Sequence, residues 1–388
     1  MNFEDRIAKR AKAIEISTIR YFFNMAREVE GAISLAIGEP DFVTPEHIRN
    51  AAKKALDEGM TGYTVNAGLI ELRREIADYL ERRYSLSYDP EKEILVTIGA
   101  TEAIYVTLNT LAEEGDEVLI PEPSFVAYHP CTVIAGAKSV FVPTYEEDDF
   151  ILRADVLEKY ITERSKVLIL PYPNNPTGAV MPKEALEEIA KVVEKYDLIV
   201  VTDEIYSELV YGGFKHTSFA SLPGMWERTI TINGFSKSYA MTGWRLGYIA
   251  APEHFTKHIA KLHQYAVTAA ATMCQYAGIE AMRNGDEDII KMREEYDKRR
   301  KFLLESVREM GLSCFEPKGA FYIFPSIKST GLTSMEFAKR LLYEAKVAVV
   351  PGNAFGEHGE GYVRMAYATS MENLEEAVKR MKEFMAKL

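Results

Sequence analysis

Gly234-Phe235-Ser236-Lys237-Ser238-Tyr239-Ala240-Met241-Thr242-Gly243-Trp244-Arg245-Leu246-Gly247 sets one lysine among small residues and an arginine eight positions later. Small neighbours let a bulky planar group approach the backbone, and a lysine kept from bulk water is neutral enough to attack a carbonyl. Lys237 is therefore a candidate Schiff-base lysine, and the fork of donors on Arg245 suits a phosphate. Taken alone, a solvated lysine on a polar loop is the simpler reading. The flanking sequence reverses it.

Outward from this stretch, short apolar runs rich in β-branched residues alternate with helical patterns. They are Ile94-Leu95-Val96-Thr97, Val118-Leu119-Ile120, Val140-Phe141-Val142, Val167-Leu168-Ile169-Leu170, Leu198-Ile199-Val200-Val201, Ile230-Thr231-Ile232 and Leu246-Gly247-Tyr248-Ile249. Runs this short, separated by helices such as residues 182–196, predict an α/β fold whose mostly parallel seven-stranded sheet is buried on both faces. Ligands of such sheets sit at the carboxyl ends of the strands. The large domain is placed at residues 45–280. Residues 1–44 and 281–388 are assigned to a smaller α+β domain. In the latter, residues 286–310 read as a charged, solvated helix, followed by a strand near 320–324, a helix near 334–345, strands at 347–350 and 362–367, and a helix from Met371.

The 388 residues exceed what one core usually organises, and 47% hydrophobic with 27% charged is the composition of a globular protein. A net charge of −12 argues against a phosphate-backbone binder, so nucleic acid is not an expected partner. Cys131, Cys274 and Cys314 lie far apart, which fits a reducing cytoplasm better than a disulfide framework. Neither an apolar leader nor a run long enough to span a membrane is present, so no membrane partner is expected. His254 and His258 stand four apart without an HExxH pattern, and no metal site is expected. Scarce glutamine beside frequent Glu and Lys fits a heat-adapted source.

Three further stretches carry chemistry. Thr97-Ile98-Gly99-Ala100-Thr101-Glu102-Ala103 ends a strand and opens a helix, presenting free backbone N–H groups where a phosphate is held, or simply a helix cap. Pro173-Asn174-Asn175-Pro176-Thr177-Gly178 is a rigid loop that fixes an asparagine amide at the ligand-bearing edge. Val200-Val201-Thr202-Asp203-Glu204-Ile205-Tyr206 puts an acid at the end of an apolar strand, as a helix cap or as the partner of a protonated ring nitrogen. In this order, and with Leu35-Ala36-Ile37-Gly38-Glu39-Pro40-Asp41-Phe42 before them and Arg364 after, these stretches resemble the class I and II pyridoxal-phosphate aminotransferases of fold type I. Within that family the chain is similar to the aromatic amino-acid aminotransferases of heat-loving archaea.

The resemblance implies pyridoxal 5'-phosphate as cofactor, with Lys237 forming the Schiff base and moving the proton. It gives Asp203 the ring nitrogen and gives Tyr206 and Asn175 the phenolic oxygen. Gly99, Ala100, Thr101 and Arg245 would hold the phosphate, and Phe125 would stack on the ring. Arg364, assisted by Asn175 and the Gly38 backbone, would clamp the substrate carboxylate. Tyr63 would reach the phosphate of a second subunit, which implies a homodimer with shared sites. Where many relatives carry a serine three residues before the lysine this chain has Gly234, so that contact is expected to pass to Ser236 or to water. Residues 262–282, where aspartate-specific relatives supply an arginine, contain no Lys or Arg. The expected reaction is amino transfer from an aromatic L-amino acid to 2-oxoglutarate, with small amino and 2-oxo acids as partners. The alternatives are an aspartate or broad-specificity aminotransferase, a C–S β-lyase or aminocyclopropane-carboxylate-synthase-like enzyme, and a non-catalytic cofactor-binding regulator.

Overall fold

β-branched side chains stiffen an extended backbone, and the apolar runs do form strands. The computed structural model describes residues 3–16 and 18–388. Its strands are β1 (Ile33–Ser34), β2 (Ile94–Thr97), β3 (Glu117–Glu122), β4 (Lys138–Pro143), β5 (Ser165–Leu170), β6 (Ile199–Asp203), β7 (Thr229–Gly234), β8 (Gly247–Ala250), β9 (Tyr322–Ile323), β10 (Val347–Ala348), β11 (Val350–Pro351) and β12 (Val363–Ala366). Seven of these form one sheet in the order β2-β8-β7-β6-β5-β3-β4, parallel except for β8, which runs against both of its neighbours.

Alternation along the strands decides which helix covers each face. Val167 and Ile169 of β5 pack with Ile104 and Leu108 of the helix Gly99–Leu111, whereas Leu168 and Leu170 pack with Leu186, Ile189 and Val193 of the helix Lys183–Lys195. A sheet covered on both faces leaves only its strand ends open. The turns after β2, β3, β5, β6 and β7 therefore carry the residues singled out above.

Apart from this sheet stand the antiparallel set β11-β12-β9 and a parallel pairing of β1 with β10, in the part of the chain assigned above to a second lobe. Thr333 and Glu336 form a reciprocal capping box at the start of the helix Ser334–Ala345, and Ser370 accepts from the Asn373 N–H at the start of Met371–Met385. Two expectations change here. The run 347–350 divides at Val349, because β10 pairs with β1 and β11 with β12. The helix Asp286–Glu309 is not solvated throughout: Tyr296, Arg299 and Arg300 are buried. Arg299 forms a two-oxygen pair with Asp41 at 2.9 Å, and Arg300 pairs with Asp297 and Glu316, so these cations are carried inward by their partners.

Candidate active site

The helix Gly99–Leu111 begins without a side-chain cap, which leaves backbone N–H groups free at its positive end. Gly99 has φ +74°, and a Cβ there would lie 2.7 Å from Arg245 Nη2, so the glycine lets the guanidinium sit against the helix start. Arg245 Nη1 donates to the Thr242 carbonyl at 2.9 Å, which aims the fork. Ala100, Thr101 and Ser236 face the same space, a cavity of about 330 Å³. Gly234, meanwhile, lies against the Gly247 backbone, with a Cβ there 3.0 Å from Gly247 Cα.

Asp203, only 6% exposed, ends β6 at the cavity floor. It accepts from Tyr128 Oη at 2.8 Å and from the Ile205 N–H at 3.2 Å, both neutral donors. Burial pushes its carboxyl up, while Tyr128 and Lys237 pull the other way. Lys237 lies across the cavity with its Nζ donating to the Gly38 carbonyl at 2.6 Å. Burial lowers its pKa to about 8, helped by Arg364 and Arg245 and opposed by Glu39 and Asp203.

Arg364, on β12, is held by Asn175 Oδ1 at 2.9 Å and by the Ala36 carbonyl at 2.6 Å. Its planar group lies between the rings of Tyr322 (4.4 Å) and Phe355 (5.0 Å), and its buried Nε has no partner. Asn175 is presented by a loop that Asn174 locks through Thr177 and Pro123. Phe125 and Gly38 also line the cavity.

Of the residues predicted for the site, all line the cavity except Gly99, which stands just behind Arg245, and Tyr63, which is 92% exposed. No residue of 262–282 lines the cavity of its own chain. Those residues instead brace the Tyr63 segment: Thr272 Oγ1 donates to the Gly62 carbonyl and Asn66 Nδ2 to that of Thr268. Ile19, from the N-terminal segment, lines the cavity too, while Ser17 lies outside the described residues. Sequence reasoning missed Tyr128, Tyr322 and Phe355. Tyr128 follows Phe125 by one helical turn, a weak signal, and the other two have no local one.

A buried amine, a buried carboxylate with neutral partners, an uncapped helix start beside an arginine and an orphaned guanidinium nitrogen fit one another as a site for pyridoxal phosphate. The lysine would meet its aldehyde, the carboxylate its ring nitrogen and the helix start its phosphate, which would leave Arg364 for a carboxylate. The chain belongs to the aminotransferase class I and II family, whose model matches residues 30–381, and it is a pyridoxal-phosphate-dependent aminotransferase. It is 52% identical over 379 residues, 97% of both chains, to the aspartate aminotransferase of Pyrococcus abyssi. It is 49% identical over 379 residues, again 97% of both, to aromatic-amino-acid aminotransferase 2 of Thermococcus litoralis. The crystal structure of the aromatic aminotransferase from Pyrococcus horikoshii superposes with a TM-score of 0.91 at 50% identity, covering 94% of this chain and 99% of that one.

Proposed function

We propose that this enzyme moves the amino group of an aromatic L-amino acid to 2-oxoglutarate, one half-reaction after the other at a single site. The cofactor supplies the carbonyl and the electron sink. Lys237 tethers it and carries the proton to and from the substrate α-carbon. Asp203 keeps the ring nitrogen protonated, and Tyr206 and Asn175 donate to the phenolic oxygen. The N–H groups of residues 99–101, Ser236 and Arg245 hold the phosphate, Phe125 covers the ring, and Arg364 grips the substrate carboxylate. Residues 45–280 provide the cofactor bed and the remaining lobe the clamp.

The observation that favours an aromatic donor is the charge of the wall. Its described cations are Lys237, Arg245 and Arg364, and each has a task above. What remains beside the polar groups is apolar, with Ile19, Ile104, Pro171 and Ile205 among it. A distal carboxylate buried there finds no free counter-ion among the described residues of its own chain, whereas a ring gains about 25 cal/mol for each Å² buried. The identity to a relative named aspartate aminotransferase supports the second reading, an aspartate or broad-specificity enzyme. A panel of amino donors with 2-oxoglutarate tests the first. Tyrosine, phenylalanine or tryptophan should lead by kcat/KM, and a tenfold preference for aspartate, about 1.4 kcal/mol, would refute it. Product analysis in the same assays separates transfer from β-elimination or ring formation.

The exposed Tyr63, with Val43, Val65 and Tyr265 exposed as well, supports a homodimer in which Tyr63 reaches the partner's phosphate. Unpaired cysteines support a cytoplasmic setting. Among the described residues no helix is long and apolar enough to cross a membrane.

A further inference from the structure

We infer that Tyr322 is a positioning residue that joins the two ends of the site, its ring carrying Arg364 and its hydroxyl donating to Tyr206. The inference rests on the placement of Tyr206 beside the cofactor's phenolic oxygen. Tyr322 belongs to β9 of the second lobe, and Tyr206 to the turn after β6 of the first. Their hydroxyl oxygens lie 2.9 Å apart, and both residues are buried, so bulk water does not compete for the bond. A Cβ at Gly38 would lie 2.6 Å from Tyr322 Oη, so the glycine that receives Lys237 also makes room for this hydroxyl.

The direction of the bond follows from the charges around the pair. Arg364, on β12, lies on the face of the Tyr322 ring at 4.4 Å, and Asp203 stands at the end of the strand that leads into Tyr206. Lys237 is 5.8 Å from the Tyr206 ring, and Tyr296 approaches Tyr322 from the helix Asp286–Glu309. Burial raises both phenols. Arg364 then draws Tyr322 back, whereas Tyr206 is held well above its ordinary value, with Tyr322 and Asp203 adding to the rise against Arg364. The guanidinium on the face of the Tyr322 ring draws charge from that phenol and makes it the stronger donor, so Tyr322 is assigned the shared proton and Tyr206 keeps its own for the cofactor. A donated bond polarises the acceptor hydroxyl and strengthens the bond it makes in turn. Charge on the phenolic oxygen is stabilised, which lowers the pH at which the cofactor gives up its proton.

The test is an absorbance titration of the cofactor-loaded enzyme. In Tyr322→Phe the midpoint of the visible band should rise by about half a unit to one unit. The KM for the amino donor should change less than roughly twofold, because the ring under Arg364 remains. Replacing Tyr322 with 3-fluorotyrosine keeps the shape and makes a stronger donor, so its midpoint should fall. That variant decides the matter should the phenylalanine protein fail to fold or load. A midpoint that stays put or moves oppositely in these variants overturns the inference. Tyr206→Phe is titrated in parallel. If it shifts the midpoint while the Tyr322 variants do not, the inference alone falls; if it leaves the midpoint unmoved, the placement of Tyr206 falls and this inference with it.

Discussion

At the scale of single residues, the enclosure of Lys237 has a measurable consequence. A free lysine is neutral only above its ordinary value of 10.5, whereas burial, Arg364 and Arg245 bring this one to about 8. The lowered pKa means that the attacking, neutral form grows as pH rises through 8, not through 10.5. Capture of pyridoxal phosphate by cofactor-free protein, followed by stopped-flow absorbance, should accelerate with a midpoint near that value. Arg364→Gln removes a neighbouring positive charge and should move the midpoint upward; a wild-type midpoint at the free-lysine value would contradict the burial argument. Asp203→Asn preserves shape and removes the charge proposed to protonate the ring nitrogen. Its kcat should fall on the order of a hundredfold with KM changed far less, a split read from single-turnover rates against steady state.

At the scale of elements, the proposed phosphate cradle depends on β8 passing close behind a helix start. A Cβ on Gly247 would lie 2.7 Å from the Gly99 carbonyl carbon and 2.8 Å from the Ala100 nitrogen, both backbone atoms that can yield only by moving the helix. Gly247→Ala should lower stability by about 1–3 kcal/mol, as overpacking does, and weaken cofactor binding. Gly243→Ala, in the same stretch, meets nothing within 4 Å and should leave both unchanged. Thermal melts and equilibrium dialysis on the two variants check the contrast; equal effects would remove the cradle argument. The sequence places Gly247 in a strand run and Gly243 in the loop before it, but only the approach of a separate helix shows which of the two a Cβ would disturb.

At the scale of the whole molecule, the site is assembled from segments of different sheets. Arg299 reaches from the helix Asp286–Glu309 to Asp41 on the segment that presents Gly38, while Arg364 and Tyr322 come from the second lobe's strands. The proposed homodimer would add a second chain. Mixed dimers of a Tyr63→Ala chain and a Lys237→Ala chain should then contain one site with both lesions and one with neither. Cofactor affinity of the surviving site should match wild type, measured by fluorescence titration of the isolated mixed dimer. If that site instead binds as weakly as the Tyr63→Ala homodimer, Tyr63 serves its own chain.

The sequence by itself determined the sheet and the residues at its open edge, because β-branched runs and the turns that end them are local properties. Lys237, Asp203, Asn175 and the helix start at Gly99 each sit where a strand must stop, so their position follows from the chain within a few residues. The tertiary structure alone decided which charges are buried and what they meet. Arg300 reads as a solvated cation until the fold buries it against Asp297 and Glu316, Arg364 meets Asn175 and the Ala36 carbonyl only across distant segments, and residues 262–282, which lack cations, brace the segment that carries Tyr63. Tyr322 faces Tyr206 across 116 positions. Such contacts depend on how separate elements pack, and hydrophobic periodicity, which places an element's apolar face, does not specify the polar atom that will stand opposite it.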